Sequence, residues 1–346
     1  MDPLDAPDTL VVTGAAGWLG RALLERLQHD PELSAIGLLA MVRTSDEALQ
    51  VNAAAPHARA EVADVTDPRA VEAALGGLTG VVDVVHTVGV IHPKRYADFH
   101  AVNADGTRHV LDAAARTGVR RLVHLSSNSP FGTNPTPRDT FGEHEPYHPS
   151  LGYGRSKMAG ELAVAEAVGA GLDAGVVRPP WFYGPWQPAR QTTFFTMVRT
   201  GRFPVFGHGD QRRSMVYVDN LVDGVLAALH TPGVGGRAYW IADAEPYTVT
   251  DIVAAVRSAL EATGLECHDR TLRVPTAVAR IAERVDGALQ SRGRYQQQLH
   301  VLGEMGHSIA VDIGAARRDL GYEPRVSIVD GMRTSVAWCL EQGYEL

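Results

Sequence analysis

Three glycines at a spacing of three, Gly14, Gly17 and Gly20, constrain this chain more than any other feature. They follow the short apolar run Leu10-Val11-Val12 and open a stretch that carries Leu19, Leu23, Leu24 and Leu27 on one helical face. A strand, a tight turn and a helix start are therefore expected in immediate succession. Glycine at these positions lets the backbone turn sharply, approach a pyrophosphate and pack the new helix against a sheet. Amides at the helix start then face the phosphates, and the helix dipole favours their charge. The turn reads as a dinucleotide site, with Gly14, Ala16, Gly17, Trp18 and Leu19 against the cofactor.

From Leu10 to Leu125, apolar runs at residues 10–12, 36–42, 60–62, 81–86 and 121–125 alternate with helical stretches. Such alternation predicts an α/β fold of the Rossmann type, a doubly wound parallel sheet with helices on both faces. Asp67-Pro68 reads as an N-cap and first-turn proline of one of those helices, which Gly76-Gly77 closes. Past Arg178 the rhythm fails, and aromatics and glycines dominate from Trp181 to Gly209. The expected division is a dinucleotide-binding domain over residues 1–178, rejoined by 215–245, and a smaller substrate-binding subdomain from 179–214 and 246–346. Thr250 is the expected cap of a helix running through Leu260.

Composition narrows the partners. Lys plus Arg (32) fall below Asp plus Glu (40), the net charge is -8, and no basic run interrupts it, so nucleic acid is not an expected partner. Cys267 and Cys339 have no metal-site spacing and suit a reducing compartment. No window approaches the roughly 18 apolar residues of a spanning helix, and residues 1–8 are acidic, so a cytoplasmic protein with no membrane partner is expected. The second strand ends Met41-Val42-Arg43-Thr44-Ser45, without the acid that would hold the ribose hydroxyls of NAD. Arg43 could pair with a 2′-phosphate, which favours NADP, or could be a solvated arginine after a strand. Asp64-Val65 is placed to meet the adenine, although an aspartate here also suits a turn.

Further motifs follow: Asn103 in Asn-Ala-Asp-Gly-Thr, Leu125-Ser126-Ser127-Asn128-Ser129, Tyr153-x-x-x-Lys157, Arg178-Pro179, Tyr183-Gly184-Pro185, Val216-Tyr217-Val218-Asp219-Asn220 and Leu320-Gly321-Tyr322-x-Pro324. With the glycine turn, these resemble the extended short-chain dehydrogenase/reductase family, which includes nucleotide-sugar epimerases, dehydratases and hydroxysteroid dehydrogenases. Tyr153 and Lys157, four residues apart, share a helical face. A phenol is a poor base at neutral pH, but a nearby ammonium and a positive nicotinamide favour its phenolate, which makes Tyr153 a credible acid/base. Lys157 can also hold the nicotinamide ribose, and Ser127 can fix the substrate oxygen. The resemblance implies that Asn103 supports Lys157, that His86 and Arg178 lie along the cofactor, and that Arg213 binds a substrate diphosphate. Ser127, Asn128, Tyr153 and Arg213 are the expected substrate contacts, and no metal is expected.

The resemblance separates reactions in part. A dehydratase would carry an acid pair where this chain has Asn128-Ser129. Arg213 and the loop Gly207-His208-Gly209-Asp210-Gln211 favour a nucleotide-sugar epimerase, whereas Arg43 favours an NADPH-dependent ketoreductase. A hydroxysteroid-dehydrogenase-like oxidoreductase, through Val90-Ile91-His92-Pro93, and a non-catalytic dinucleotide sensor stand as further alternatives. The expected assembly is a homodimer through the helices around residues 103–115 and 153–168.

Overall fold

The computed structural model describes residues 4–31, 33 and 35–346. In chain order its strands are β1 (Thr9–Thr13), β2 (Gly37–Val42), β3 (Ala58–Val62), β4 (Val82–His86), β5 (Arg121–Leu125), β6 (Ala174–Arg178), β7 (Trp181–Tyr183), β8 (Pro204–Phe206), β9 (Arg212–Arg213), β10 (Met215–Tyr217), β11 (Ala238–Trp240), β12 (Tyr247–Thr248) and β13 (Leu272–Val274). The helices are α1 (Trp18–His29), α2 (Ser45–Ala54), α3 (Pro68–Gly76), the single turn α4 (Asp98–His100), α5 (Gly106–Thr117), α6 (Leu151–Gly169), α7 (Thr192–Arg199), α8 (Val218–His230), α9 (Val249–Ala262), α10 (Thr276–Gln290), α11 (Gln297–Glu304), α12 (Gly314–Leu320) and α13 (Ile328–Glu341).

Seven parallel strands form the main sheet in the order β11-β6-β5-β4-β1-β2-β3. Side chains alternate across a strand, so β1 sends Leu10 and Val12 to one face and Val11 to the other. The first face is covered by α1 and α8, with Leu23, Leu27, Leu221 and Val225. The second is covered by α3, α5 and α6, with Val71, Val110 and Val164. Each such aliphatic side chain, fully withdrawn from water, contributes about 1.5–3 kcal/mol. The strand order reverses between β1 and β4, and a ligand crevice belongs beyond their C-terminal ends.

Between residues 215 and 245, α8 and β11 lie on the main sheet, while β10 pairs with β7 outside it. The small lobe is held by short pairings, β9 with β12 and β8 with β13, and by α7, α9, α10, α11 and α13. Thr248, not Thr250, caps α9. Asp251 stands at the third helical position and closes a reciprocal capping box with Thr248, while Thr250 donates its hydroxyl to Gly209 O at 3.2 Å. Helix α11 packs against α10, where Gly303 meets the Glu283 backbone and His300 Nδ1 lies 2.9 Å from Asp286 Oδ2.

Candidate active site

The glycine turn has the tightness its spacing demands. Gly14 adopts φ +69°, and a Cβ there would stand 3.1 Å from Val88 N in the turn after β4. A Cβ on Gly20 would lie 2.5 Å from Gly14 O and 2.7 Å from Ala15 Cα, so only glycine lets α1 close on the turn. Gly17 precedes α1 and brings no side chain to cap it, which leaves the first amides of the helix for an anion. Trp18 turns away, its Nε1 donating to Pro185 O at 2.6 Å and its ring packed on Phe182. These features fit a dinucleotide pyrophosphate held by the backbone of residues 14–19.

At the end of β5, Lys157 Nζ donates to Leu125 O at 2.6 Å, which anchors α6 to the strand that delivers Ser126 and Ser127. Tyr153 stands one helical turn before Lys157, near enough to Ser127 for the serine hydroxyl to ease the ionisation of its phenol. Ser127 Oγ also accepts from Ser129 N at 3.2 Å, so the hydroxyl is oriented by its own turn. Asn103 is fully buried in a wide, π-bulged turn over Ala101–Asp105. Its Oδ1 accepts from Val90 N at 2.8 Å, and its Nδ2 donates to Val90 O and to Ser156 Oγ, both at 3.0 Å. It thus ties the loop after β4 to α6 beside the lysine. Gly89, in that loop, lies against this pair: a Cβ there would stand 3.7 Å from Asn103 Oδ1 and 4.0 Å from Lys157 Nζ, ordinary contact distances.

Burial sets the protonation states. Desolvation pulls the Lys157 ammonium down to about 8, against the pull of the Glu161 carboxylate. The Tyr153 phenol is pushed up to about 12 by burial, with the Ser127 hydroxyl opposing and the charge of Glu304 adding. Burial dominates the phenol, and at neutral pH Tyr153 is a proton donor.

Several expected contacts lie elsewhere. Arg178 does not reach the cofactor crevice; it is buried in a bidentate pair with Glu161, Nη2 to Oε2 at 2.6 Å, beneath the ring of Phe131. Glu161 also accepts from Ser126 Oγ and from Tyr147 Oη, the latter at 2.8 Å, so Arg178 neutralises a carboxylate that braces the strand end below the site. The His86 side chain is likewise withdrawn, fully buried between Thr13 Oγ1 at 2.7 Å and Thr107 Oγ1 at 3.1 Å, and only its backbone faces the turn. Asp64 takes the turn role, its Oδ1 accepting from Thr66 N at 2.9 Å and Thr66 Oγ1 at 2.8 Å, while Val65 packs under Gly106. Asn128 is buried at the start of the turn that holds Ser127.

Arg43 is exposed beyond β2, but an acid does arrive there. Glu47, from the first turn of α2, accepts from Arg43 N at 2.8 Å and stands 3.4 Å from its Nη2. Thr44, the α2 cap, followed three residues later by Glu47, was the available signal for it. Arg213, on β9, is held by the α11 residue Glu304, through the carboxylate at 3.5 Å and the backbone carbonyl at 2.5 Å. Glu304 also acts electrostatically on Tyr153, Tyr295 and His92, so it belongs to the site although no motif marked it. His92 Nδ1 meets Tyr295 Oη at 2.6 Å, and burial pulls this histidine down to about 4. No group of His, Cys, Asp and Glu suited to a metal occurs among the described residues, nor any helix long and apolar enough to cross a membrane.

Comparison with known proteins agrees with this architecture. The sequence model of the NAD dependent epimerase/dehydratase family matches residues 10–242. An uncharacterised Sinorhizobium fredii protein, y4nL, is 42% identical over 98% of this chain and 97% of its own. A 4-hydroxy-2-methyl-3-oxo-4-farnesyl-3,4-dihydroquinoline-1-oxide ketoreductase of Stigmatella aurantiaca is 28% identical over 93% of each chain. Among solved structures, the dTDP-glucose 4,6-dehydratase DesIV of Streptomyces venezuelae, with NAD and TYD bound, has a similar fold, with a TM-score of 0.73 over 96% of this chain and 97% of its own at 24% identity.

Proposed function

The chain belongs to the NAD-dependent epimerase/dehydratase family, an NAD(P)-dependent enzyme of the extended short-chain dehydrogenase/reductase type, and on that premise we propose that it transfers hydride at a secondary alcohol or ketone of a nucleotide-linked sugar, as an epimerase. The observation that carries the chemistry is Tyr153 beside the Ser127 hydroxyl, with Lys157 one turn further along α6 and held by Leu125 O.

The nicotinamide, when bound, supplies or accepts the hydride. Tyr153 Oη gives its proton to the oxygen of a carbonyl being reduced, and takes it back when the alcohol is oxidised. Ser127 Oγ holds that oxygen within reach of Tyr153, so the carbon to be attacked is fixed by two bonds from one side. Lys157, held by Leu125 O, would hold the nicotinamide ribose and place its charge near the Tyr153 phenol. Asn128-Ser129 offers no acid pair for eliminating water.

Support for the nucleotide comes from Arg213, a desolvated guanidinium whose only carboxylate partner among the described residues is Glu304 at 3.5 Å. A planar fork in this state suits a diphosphate. A second reading, an NADPH-dependent ketoreductase, is favoured by one observation: Arg43 stands exposed where a 2′-phosphate would lie. A homodimer through α5 and α6 fits either reading, Leu162 being exposed on α6.

Mass spectrometry of the nucleotide extracted from freshly purified protein, with NAD and NADP titrated in parallel, separates the readings. Retained NAD, released only on denaturation, is the outcome expected of an epimerase. An empty site with preference for NADPH overturns that assignment and establishes the reductase.

A further inference from the structure

We infer that α10 is an interfacial helix that seats the small lobe on an anionic lipid surface. Helix α10 buries Ala279, Ala282, Asp286 and Gln290 on one face. The adjoining face is apolar but uncovered: Val278, Ile281 and Val285, at helical spacing, are 37%, 60% and 43% exposed. Arg280 and Arg284 flank this stripe, and among the described residues neither meets a carboxylate. Within residues 270–294 six arginines stand against only Glu283 and Asp286, in a chain whose net charge is -8. Asp286 is buried against His300 and Gln290, and the half-exposed Glu283, beside His307 at 3.2 Å, offsets one of the two arginines, so the outward charge of this helix is positive.

Apolar side chains on one arc with arginines beside them are the arrangement by which a helix lies in the headgroup layer, the stems covering hydrocarbon while the guanidiniums meet phosphate. At 15 residues α10 is too short to span a bilayer, so it would lie flat. A second copy is a poorer occupant, because a two-fold contact through this face would set the arginines of each copy against their own kind. The position also matters for the site. Gln290 Oε1 accepts from Gly152 N at 3.0 Å and Gly287 meets Leu151, so α10 rests on the helix start that carries Tyr153.

Flotation of the full chain with vesicles tests this. Phosphatidylcholine vesicles containing phosphatidylglycerol should carry the protein at low salt, and phosphatidylcholine alone should not. Binding should fall about ten-fold in Ile281→Asp/Val285→Asp, in Arg280→Glu/Arg284→Glu, and on raising the salt. All four positions are exposed, and unchanged circular dichroism and thermal melting would certify the fold. Failure of the wild type to float with anionic vesicles, or equal flotation of the variants, overturns the proposal. So does a sedimentation experiment in which Ile281→Asp dissociates a dimer while vesicles remain unbound.

Discussion

Lys157 is a buried cation, with Leu125 O on its ammonium and Glu161 one turn away. Its pKa is drawn from 10.5 to about 8, so between these values the unfolded chain binds the extra proton and stability rises with pH. Below about 8 the full penalty is present. Lys157→Met should therefore stabilise the fold by about 1–3 kcal/mol at neutral pH, flatten that slope, and abolish turnover, as urea denaturation and activity assays will read. His124, stacked on His86 behind the lysine, has no partner for either ring nitrogen among the described residues. Burial holds both imidazoles neutral, His86 down at about 3. A depressed histidine contributes stability above its unfolded value of 6.5 that is lost as pH falls. His124→Leu should add about 1–3 kcal/mol and soften acid unfolding below pH 6.5, measured by thermal melts at falling pH.

At the scale of elements, what could be read in advance was what neighbouring residues decide. The strand, turn and helix around Gly14, Gly17 and Gly20 were legible because the glycines act on their own backbone, and the Tyr153–Lys157 face because four residues make one helical turn. The pairing of Arg178 is not legible in sequence, for the opposite reason. Its partner Glu161 lies on another element, and the buried pair forms only when α6 packs on β6. Glu304 reaches Arg213 across 91 residues, a distance over which spacing carries no information. Packing also sets what α6 tolerates. A Cβ on Gly154 would overlap Ser129 O, in the turn that orients Ser127. Gly154→Ala should cost about 1–3 kcal/mol of stability and lower kcat about ten-fold with little change in cofactor affinity, checked by thermal unfolding and steady-state kinetics. Closing room for a methyl here moves the hydroxyl that fixes the substrate.

Over the whole molecule, the sheet delivers two ends to one crevice. The β1 turn offers amides to a dinucleotide, and the β5 end offers Ser127, while α6 brings Tyr153 and Lys157 across from the second face. The small lobe closes from the other side with Arg213, Glu304 and Tyr295, the last meeting His92 of the loop after β4. On the proposed function the first set serves the cofactor and the second the substrate. The glycine turn and the Tyr153–Lys157 spacing are local and legible in sequence, whereas the contacts of Arg213, Glu304 and Tyr295 are set by packing between distant segments. The central claim is that Tyr153 moves the proton while the rest of the site binds. It is tested most directly by comparing the wild type with Tyr153→Phe, following reduced-nicotinamide absorbance in a single turnover with uridine- and thymidine-diphosphate hexoses. The account predicts that Tyr153→Phe binds cofactor with unchanged affinity and loses hydride transfer by about three orders of magnitude or more. Hydride transfer at the wild-type rate in that variant would contradict it.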